Sequence, residues 1–282
     1  MNPPHLTGED IAQGLQSLEL DIASCVMVHT SLSAFGHVEG GAGTVCRALL
    51  RTCGTVLMPA FTFDSSGLPF APPGLLRPNN AYFNAQSWDE FDTSVHDTRP
   101  FSSNAPVDED IGVIPETFRH LPDVHRSCHP LMSFAASGVE AIRLVDSQQL
   151  VSPLAPIQVL ADLDGDVLLL GVGHWANTAI HLGEQITGRS RFWRYGVIAD
   201  DIWVELPNLP GSSSGFASLD DALNPVAQTM IGSCLARRFK VRDVLRRVKE
   251  MIEDDPAALL DLQNLEDERV EAAWKQRLAV CE

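Results

Sequence analysis

The chain is short of positive charge: 20 lysines and arginines face 37 aspartates and glutamates, for a formal net charge of -17. Such a field repels a phosphate backbone, so nucleic acid is not an expected partner without a dense local basic patch. The same field attracts a polycationic small molecule or a protonated amine, although an acidic surface also serves simply to keep a protein soluble. Long apolar runs are missing as well. No stretch reaches the ~18 residues of a bilayer-spanning helix, and residues 1–10 hold no basic stretch followed by an apolar run, so no membrane partner and a cytoplasmic location are expected. Cysteine never occurs as C-x-x-C. Cys25, Cys46, Cys53, Cys128, Cys234 and Cys281 are scattered, a spacing that predicts reduced, mostly buried thiols over a disulfide framework or a zinc site. Internal repeats and linker-like composition are also missing. One domain over 1–282 is therefore expected, with 45% hydrophobic residues to fill its core.

The local patterns that are present describe an α/β protein. Ile11, Leu15 and Leu18 share a helical face, and Thr7 with Asp10 forms a capping box ahead of them. Cys25-Val26-Met27-Val28-His29 reads as a strand, residues 44–50 as a helix closed by Gly54, and Thr55-Val56-Leu57-Met58 as a second strand ended by Pro59. These strands are apolar without clean alternation, as in a sheet covered by helices on both faces. Residues 63–106 carry Pro69, Pro72, Pro73, Pro78, Pro100 and Pro106, and read as one long irregular insertion, either a substrate lid or a surface excursion. Helical turns are expected at 112–120, from 138 onward and at 156–160, with a strand at 133–136. The run Val167-Leu168-Leu169-Leu170 reads as a central strand followed by Gly171 and Gly173, then a turn and a helix over 178–186. Residues 191–205 suggest a hairpin, 225–240 and 241–253 read as helices, and 254–282 as an acidic helical tail.

In an open α/β sheet, chemistry collects beyond the carboxyl ends of the central strands. His174, Asn177, His181 and Glu184 follow such an end within eleven residues. Glu184 is three residues beyond His181 on one helix face, so it can orient the ring. A histidine paired with a carboxylate suits proton removal from an amine. The same spacing also describes a packed histidine beside a solvent-facing glutamate, and the inverted zinc signature H-x-x-E-H fails because Gln185 follows Glu184. The loop Gly36-His37-Val38-Glu39-Gly40-Gly41-Ala42-Gly43-Thr44 enters a helix, which suits either phosphate contact or a plain helix entry. It lacks the lysine of a P-loop. His129 before Pro130 can line the same cleft or cap a turn, and Arg99 and Arg126 are candidates for phosphate contact or for surface ion pairs.

Taken together, these segments resemble the aminoglycoside 3-N-acetyltransferase family. The resemblance runs through Val28-His29-Thr30-Ser31-Leu32-Ser33-Ala34-Phe35-Gly36, Val38-Glu39-Gly40-Gly41, Gly54-Thr55-Val56-Leu57-Met58-Pro59-Ala60-Phe61, Gly112-Val113-Ile114-Pro115-Glu116-Thr117-Phe118 and Arg126-Ser127-Cys128-His129-Pro130. It is strongest in Leu168-Leu169-Leu170-Gly171-Val172-Gly173-His174 with Asn177-Thr178-Ala179-Ile180-His181-Leu182-Gly183-Glu184. The resemblance implies a three-layer α/β/α fold with a mixed central sheet and acetyl-CoA as cosubstrate. Ser31, Leu32, Ser33, Gly36, Gly40 and Gly41, with Arg99, would receive CoA, and His129, His174 and Asn177 would stand on the acceptor side. His181 would be the base and Glu184 its partner. No metal is implied, and a homodimer is the oligomeric expectation.

Three departures bear on the acceptor. Many relatives carry a histidine ahead of Ser152-Pro153 where this chain has Asp146-Ser147-Gln148-Gln149-Leu150-Val151. No acid precedes Phe216 in Pro210-Gly211-Ser212-Ser213-Ser214-Gly215, and the cysteine-containing C-terminal pattern is replaced by Leu260-Asp261-Leu262. Transfer to a different amine, metal-assisted hydrolysis through His174, His181 and Glu184, and a non-catalytic CoA or polyamine binder are the competing function classes.

Overall fold

A computed structural model describes residues 5–75, 77, 83–189 and 191–261. The tail expected at 254–282 lies outside the described residues beyond 261, and residues 255–261 are turn and coil. The strands are β1 (Cys25–Thr30), β2 (Thr55–Pro59), β3 (Phe70–Ala71), β4 (Phe83–Asn84), β5 (His125–Arg126), β6 (Phe134–Gly138), β7 (Asp166–Leu170), β8 (Phe192–Ala199), β9 (Ile202–Leu209), β10 (Ala227–Ile231) and β11 (Cys234–Lys240). The helices are α1 (Gly8–Gln16), α2 (Gly41–Thr52), α3 (Phe63–Ser66), α4 (Trp88–His96), α5 (Val113–Phe118), α6 (Ala141–Asp146), α7 (Ala155–Asp162), α8 (Ala179–Ile186), α9 (Leu219–Ala222) and α10 (Val241–Asp254). The Thr7–Asp10 capping box is present at the start of α1.

The main sheet runs β10-β11-β7-β1-β2-β6-β5. Its centre, β7, β1 and β2, is parallel, while β11 and β6 join antiparallel on either side, so the sheet is mixed. The pleat sends alternate side chains to opposite faces. Cys25 and Met27 of β1 and Val167 and Leu169 of β7 face helices α6, α7, α8 and α10, where they meet Leu144, Ile157, Ile180 and Val248. Val26, Val28, Leu168 and Leu170 face α1, α2 and α5, meeting Leu15, Leu49 and Phe118. This is the expected three-layer α/β/α sandwich. The strands lack polar alternation because each face buries apolar residues, at roughly 1.5–3 kcal/mol for each fully buried large side chain. A Leu169→Ala change would cost about 2–5 kcal/mol through the cavity it leaves.

Two sequence expectations are corrected by the fold. Residues 225–240 are not helical: β10 and β11 form an antiparallel hairpin with Ile231 opposite Cys234. The turn between them is Gly232-Ser233, with Gly232 at φ 60, a two-residue connection that the sequence displays openly. Period-two burial of Cys234 and Ala236 then overrides the helical propensity of the arginines. The insertion at 63–106 is not structureless either. It contains α3, β3, β4 and α4, the last capped by the Ser87 side chain, which accepts from the Glu90 N–H. Phe91 and Val95, one turn apart on α4, pack with Leu68, Ala71, Tyr195 and Val197 against the β8–β9 ribbon and form a small third core. The prolines masked this period in the sequence.

The carboxyl ends of the central strands are held close together. Gly171, just past β7, has φ 72, and a Cβ there would stand 2.1 Å from that of Ala34. Glycine thus lets the turn after β7 press on the turn after β1. Of the described cysteines, Cys25, Cys46, Cys53 and Cys234 are buried free thiols and Cys128 is exposed. No helix among the described residues is long and apolar enough to cross a membrane.

Candidate active site

Beyond the ends of β1, β2 and β7 lies a cavity of about 1100 Å³. The residues following β1 form one wall, namely Ser31, Leu32, Ser33 and Gly36, with the Ser31 and Ser33 hydroxyls 3.0 Å apart. The turn after β7 contributes Trp175, Asn177 and Thr178. The stretch after β2 contributes Phe61, Phe63 and Asp64, with Asp108 and Asp110 beside them, and Arg194 and Phe216 also line the cavity.

His181 lines this cavity and is only 9% exposed. Its position follows from the local sequence: the Asn177 side-chain oxygen accepts the Ala179 N–H at 3.1 Å, which starts α8, and His181 falls in the first turn. One turn on, Glu184 is fully buried and its Oε2 stands 3.0 Å from His181 Nδ1. The other oxygen, Oε1, accepts from Arg189 Nη2 at 2.9 Å, and Arg189 is also fully buried. A carboxylate that already accepts from a guanidinium is an acceptor only. It therefore takes the Nδ1 proton and leaves Nε2 as the basic nitrogen of the ring. The ring lies against Phe216 at 4.6 Å between centroids, which excludes water from one side.

Two further histidines sit behind this pair. His29, on β1, lines the cavity and its Nε2 accepts the Thr178 N–H at 3.3 Å. Burial, then the nearby His174 and His181, push its pKa down to about 3. His174 is fully buried, bonded through Nδ1 to the Asn177 amide at 3.1 Å and tilted on Phe239, and burial lowers its pKa to about 4. Both rings are neutral fixtures of the turn that carries α8. Because His174 turns away from the cavity, the three-ligand set His174, His181 and Glu184 does not assemble, and no group of three such side chains among the described residues is placed to hold a metal.

Residues 27–253 match the family described as Aminoglycoside 3-N-acetyltransferase. The chain belongs to the aminoglycoside 3-N-acetyltransferase family. Aminoglycoside N(3)-acetyltransferase IV of Salmonella sp is 34% identical over 177 residues, which are 60% of this chain and 55% of that protein. The SPbeta prophage-derived aminoglycoside N(3')-acetyltransferase-like protein YokD of Bacillus subtilis is 32% identical over 191 residues, 63% of this chain and 64% of that protein. The aligned sequence thus spans under two thirds of these relatives' own length. In three dimensions the likeness is wider. The crystal structure of YokD superposes with a TM-score of 0.77 at 26% identity, covering 90% of this chain and 96% of that one. The AAC(3)-IVa apoenzyme gives 0.76 at 26% identity, covering 98% and 100%.

Within this family member, the residues singled out in the sequence divide into two groups. Ser31, Leu32, Ser33, Gly36, Asn177 and His181 share the cavity, and Glu184 stands directly behind His181. Gly40, Gly41, Arg99, His129 and His174 do not line it. Gly40 and Gly41, at φ 73 and 58, make the entry turn of α2. Arg99 is exposed beside α3, where its N–H donates to Ser65 O. His129 is buried and uses Nδ1 to accept the Leu131 and Met132 N–H groups at 3.2 and 3.0 Å, so it is the turn cap of the two alternatives. Arg126 is spent on the carbonyls of Ala60, Ser103 and Ala105 and on Ser133, which removes it from phosphate contact. Gln148, in the segment ahead of Ser152-Pro153, stitches Ser127, Met132 and Pro153 together and does not line the cavity.

The sequence reading passed over the acidic wall. Asp108 accepts the Phe63 N–H at 2.6 Å and the Asp64 N–H at 3.2 Å, which fixes α3, and burial raises its carboxyl to about 6. The acidic run Asp108-Glu109-Asp110 ahead of Gly112 was its signal in the sequence.

Proposed function

We propose that this chain transfers an acetyl group from acetyl-CoA to an amino group of an aminoglycoside, at the 3-amino position that gives the family its name. The observation that carries this reading is the His181–Glu184 pair on the wall of a cavity that has an uncharged hydroxyl-bearing side and an acidic side. Supporting it from outside, a variant of AAC(3)-IVa has been solved in complex with a gentamicin and AAC-IIIb has been solved with CoASH.

The wall formed by Ser31, Leu32, Ser33 and Gly36 fits the pantetheine arm of the donor, whose amides and hydroxyl need neutral polar partners. The charged lining is Asp64, Asp108, Asp110 and Arg194, and Arg194 is already stacked on Phe63 and bonded to Pro210 O. This charge balance suits an ammonium-bearing acceptor inside the cavity and leaves the donor phosphates toward its mouth. The donor supplies an acyl carbon activated as a thioester. His181 Nε2 takes the proton of the amine as its nitrogen bonds to that carbon, and returns a proton to the departing sulfur as the carbon–sulfur bond breaks. Glu184 fixes the tautomer and balances the imidazolium during this exchange.

The test is release of free thiol from acetyl-CoA in the presence of an aminoglycoside panel and simple polyamines, with mass spectrometry of the acceptor. Acceptor-dependent thiol release that His181→Ala abolishes, with unchanged circular dichroism, is the expected outcome. CoA or acceptor binding without turnover would assign the chain to non-catalytic binding instead.

A further inference from the structure

Arg189 belongs to no motif and lies five residues beyond Glu184, past the end of α8. It is nevertheless one of the largest fully buried side chains in the described structure. Such a cation is tolerated only where it is paired and hydrogen-bonded, and its partners are specific. Nη2 donates to Glu184 Oε1 at 2.9 Å, while Nη1 donates to the carbonyls of Pro256 at 3.0 Å and Ala258 at 2.6 Å. The Arg189 N–H also donates to Glu184 O at 2.9 Å, closing the turn that follows the helix. His181 is thus the outer member of a chain of fixed polar contacts that runs through Glu184 and Arg189 to the backbone at 256–258.

We propose that Arg189 is the positioning residue of the pair, holding Glu184 in the rotamer that orients His181 and pairing its charge inside the fold. The inference rests on the reading of His181 as the base. It follows from the geometry that Glu184 cannot serve both His181 and solvent: it is fully buried, and each of its oxygens is already committed. Substituting a lysine preserves a charge but not the fork that reaches a carboxylate and two carbonyls at once.

Arg189 also sets the net charge of the trio, and this makes the proposal distinguishable from plain packing. Around the pair stand His29 on β1, His174 in the turn after β7, Arg194 on β8, and Asp64, Asp108 and Asp110 across the cavity. None of these changes when Arg189 is replaced. Removing the guanidinium leaves the imidazole and carboxylate as a pair that holds a proton more tightly, so the acid limb of the rate profile moves to higher pH.

The experiment measures kcat, KM for acetyl-CoA and the pH dependence of kcat/KM for wild type, Arg189→Lys, Arg189→Met, Glu184→Gln and the double variant Arg189→Met/Glu184→Gln, each checked by circular dichroism. Arg189→Met is expected to lower kcat about 100-fold, with KM changed less than about threefold and the acid limb displaced upward. Arg189→Lys is expected to keep the limb near wild type and recover part of kcat. The double variant is expected to lose no more than Glu184→Gln alone, because Arg189 acts through that carboxylate. If Arg189→Met fails to fold, the double variant and Arg189→Lys decide: a double variant that loses clearly more than Glu184→Gln alone, or a lysine variant with wild-type kcat, overturns the proposal. Wild-type kcat and pH profile in Arg189→Met overturn it directly while leaving the His181 assignment standing. Full activity in His181→Ala would instead overturn the reading on which it rests.

Discussion

His181 and His29 are both buried histidines on the wall of one cavity, yet their partners differ in kind. His181 meets a carboxylate backed by an arginine, so its ring has a counter-ion in place when it takes a proton. Among the described residues His29 meets a backbone N–H and no carboxylate, and burial next to other histidines holds it neutral, with its pKa down to about 3. The difference teaches that burial alone does not decide whether a histidine is equipped to carry a proton. What matters is whether the protein has prepared for the charge, a distinction that lies in the partners and not in the exposure.

The comparison can be broken most sharply at His181. His181→Ala should lower acceptor-dependent thiol release by about 10²–10⁴-fold, whereas His29→Gln, which keeps an acceptor for the Thr178 N–H, should retain most of the activity. Equal losses from the two would erase the contrast. Next in size is Glu184→Gln, which removes the negative charge paired with the buried Arg189 and should cost about 3–5 kcal/mol of stability, read as a lowered denaturant midpoint. His29→Leu should cost about 1–3 kcal/mol by leaving the Thr178 N–H without its partner, with a smaller fall in kcat than Glu184→Gln.

The neutral histidines also predict an acid-sensitive fold. His29 and His174 titrate at about 3 and 4 in the folded chain against 6.5 when unfolded. The unfolded chain therefore gains protons that the folded one refuses. Stability is full above 6.5 and falls as pH drops from there toward 3–4, by up to about 1.4 kcal/mol per pH unit for each ring. Asp108, raised by burial to about 6 from 3.8, contributes with the opposite sign across that window and blunts the slope. Thermal melts from pH 7 to pH 4 should show a falling midpoint, and a shallower fall in His174→Gln. The smallest effect is expected at the acidic wall: Asp110→Asn should raise KM for a polyamine acceptor a few-fold with little change in kcat, and no change would remove that carboxylate from acceptor recognition.

The parts of the molecule that were legible in the sequence are those whose signal is local. The apolar runs of β1, β2 and β7, the Thr7 cap and the three-residue step from His181 to Glu184 each describe themselves within one turn or one strand. The hairpin β10–β11 was equally local, but its Gly-Ser turn was outvoted by helix-favouring arginines in the following strand. The acidic wall is different in kind. Asp108 reaches the cavity because it caps α3, forty-five residues earlier in the chain, and no spacing rule expresses that. His129 and His174 have the chemistry of site residues, but their rings are spent on backbone N–H groups and on Asn177. Only the folded chain reveals which nitrogen is left over.

The contact between Arg189 and the carbonyls of Pro256 and Ala258 has a consequence for biosynthesis. A chain emerging from the ribosome lays down the sheet and the helix bearing His181 first. The acceptors that anchor its guanidinium clamp arrive more than sixty residues later. A nascent molecule halted at residue 250 would carry the imidazole and its carboxylate without the backbone that steadies Arg189, so the polar chain behind the cavity is completed only as those last carbonyls dock.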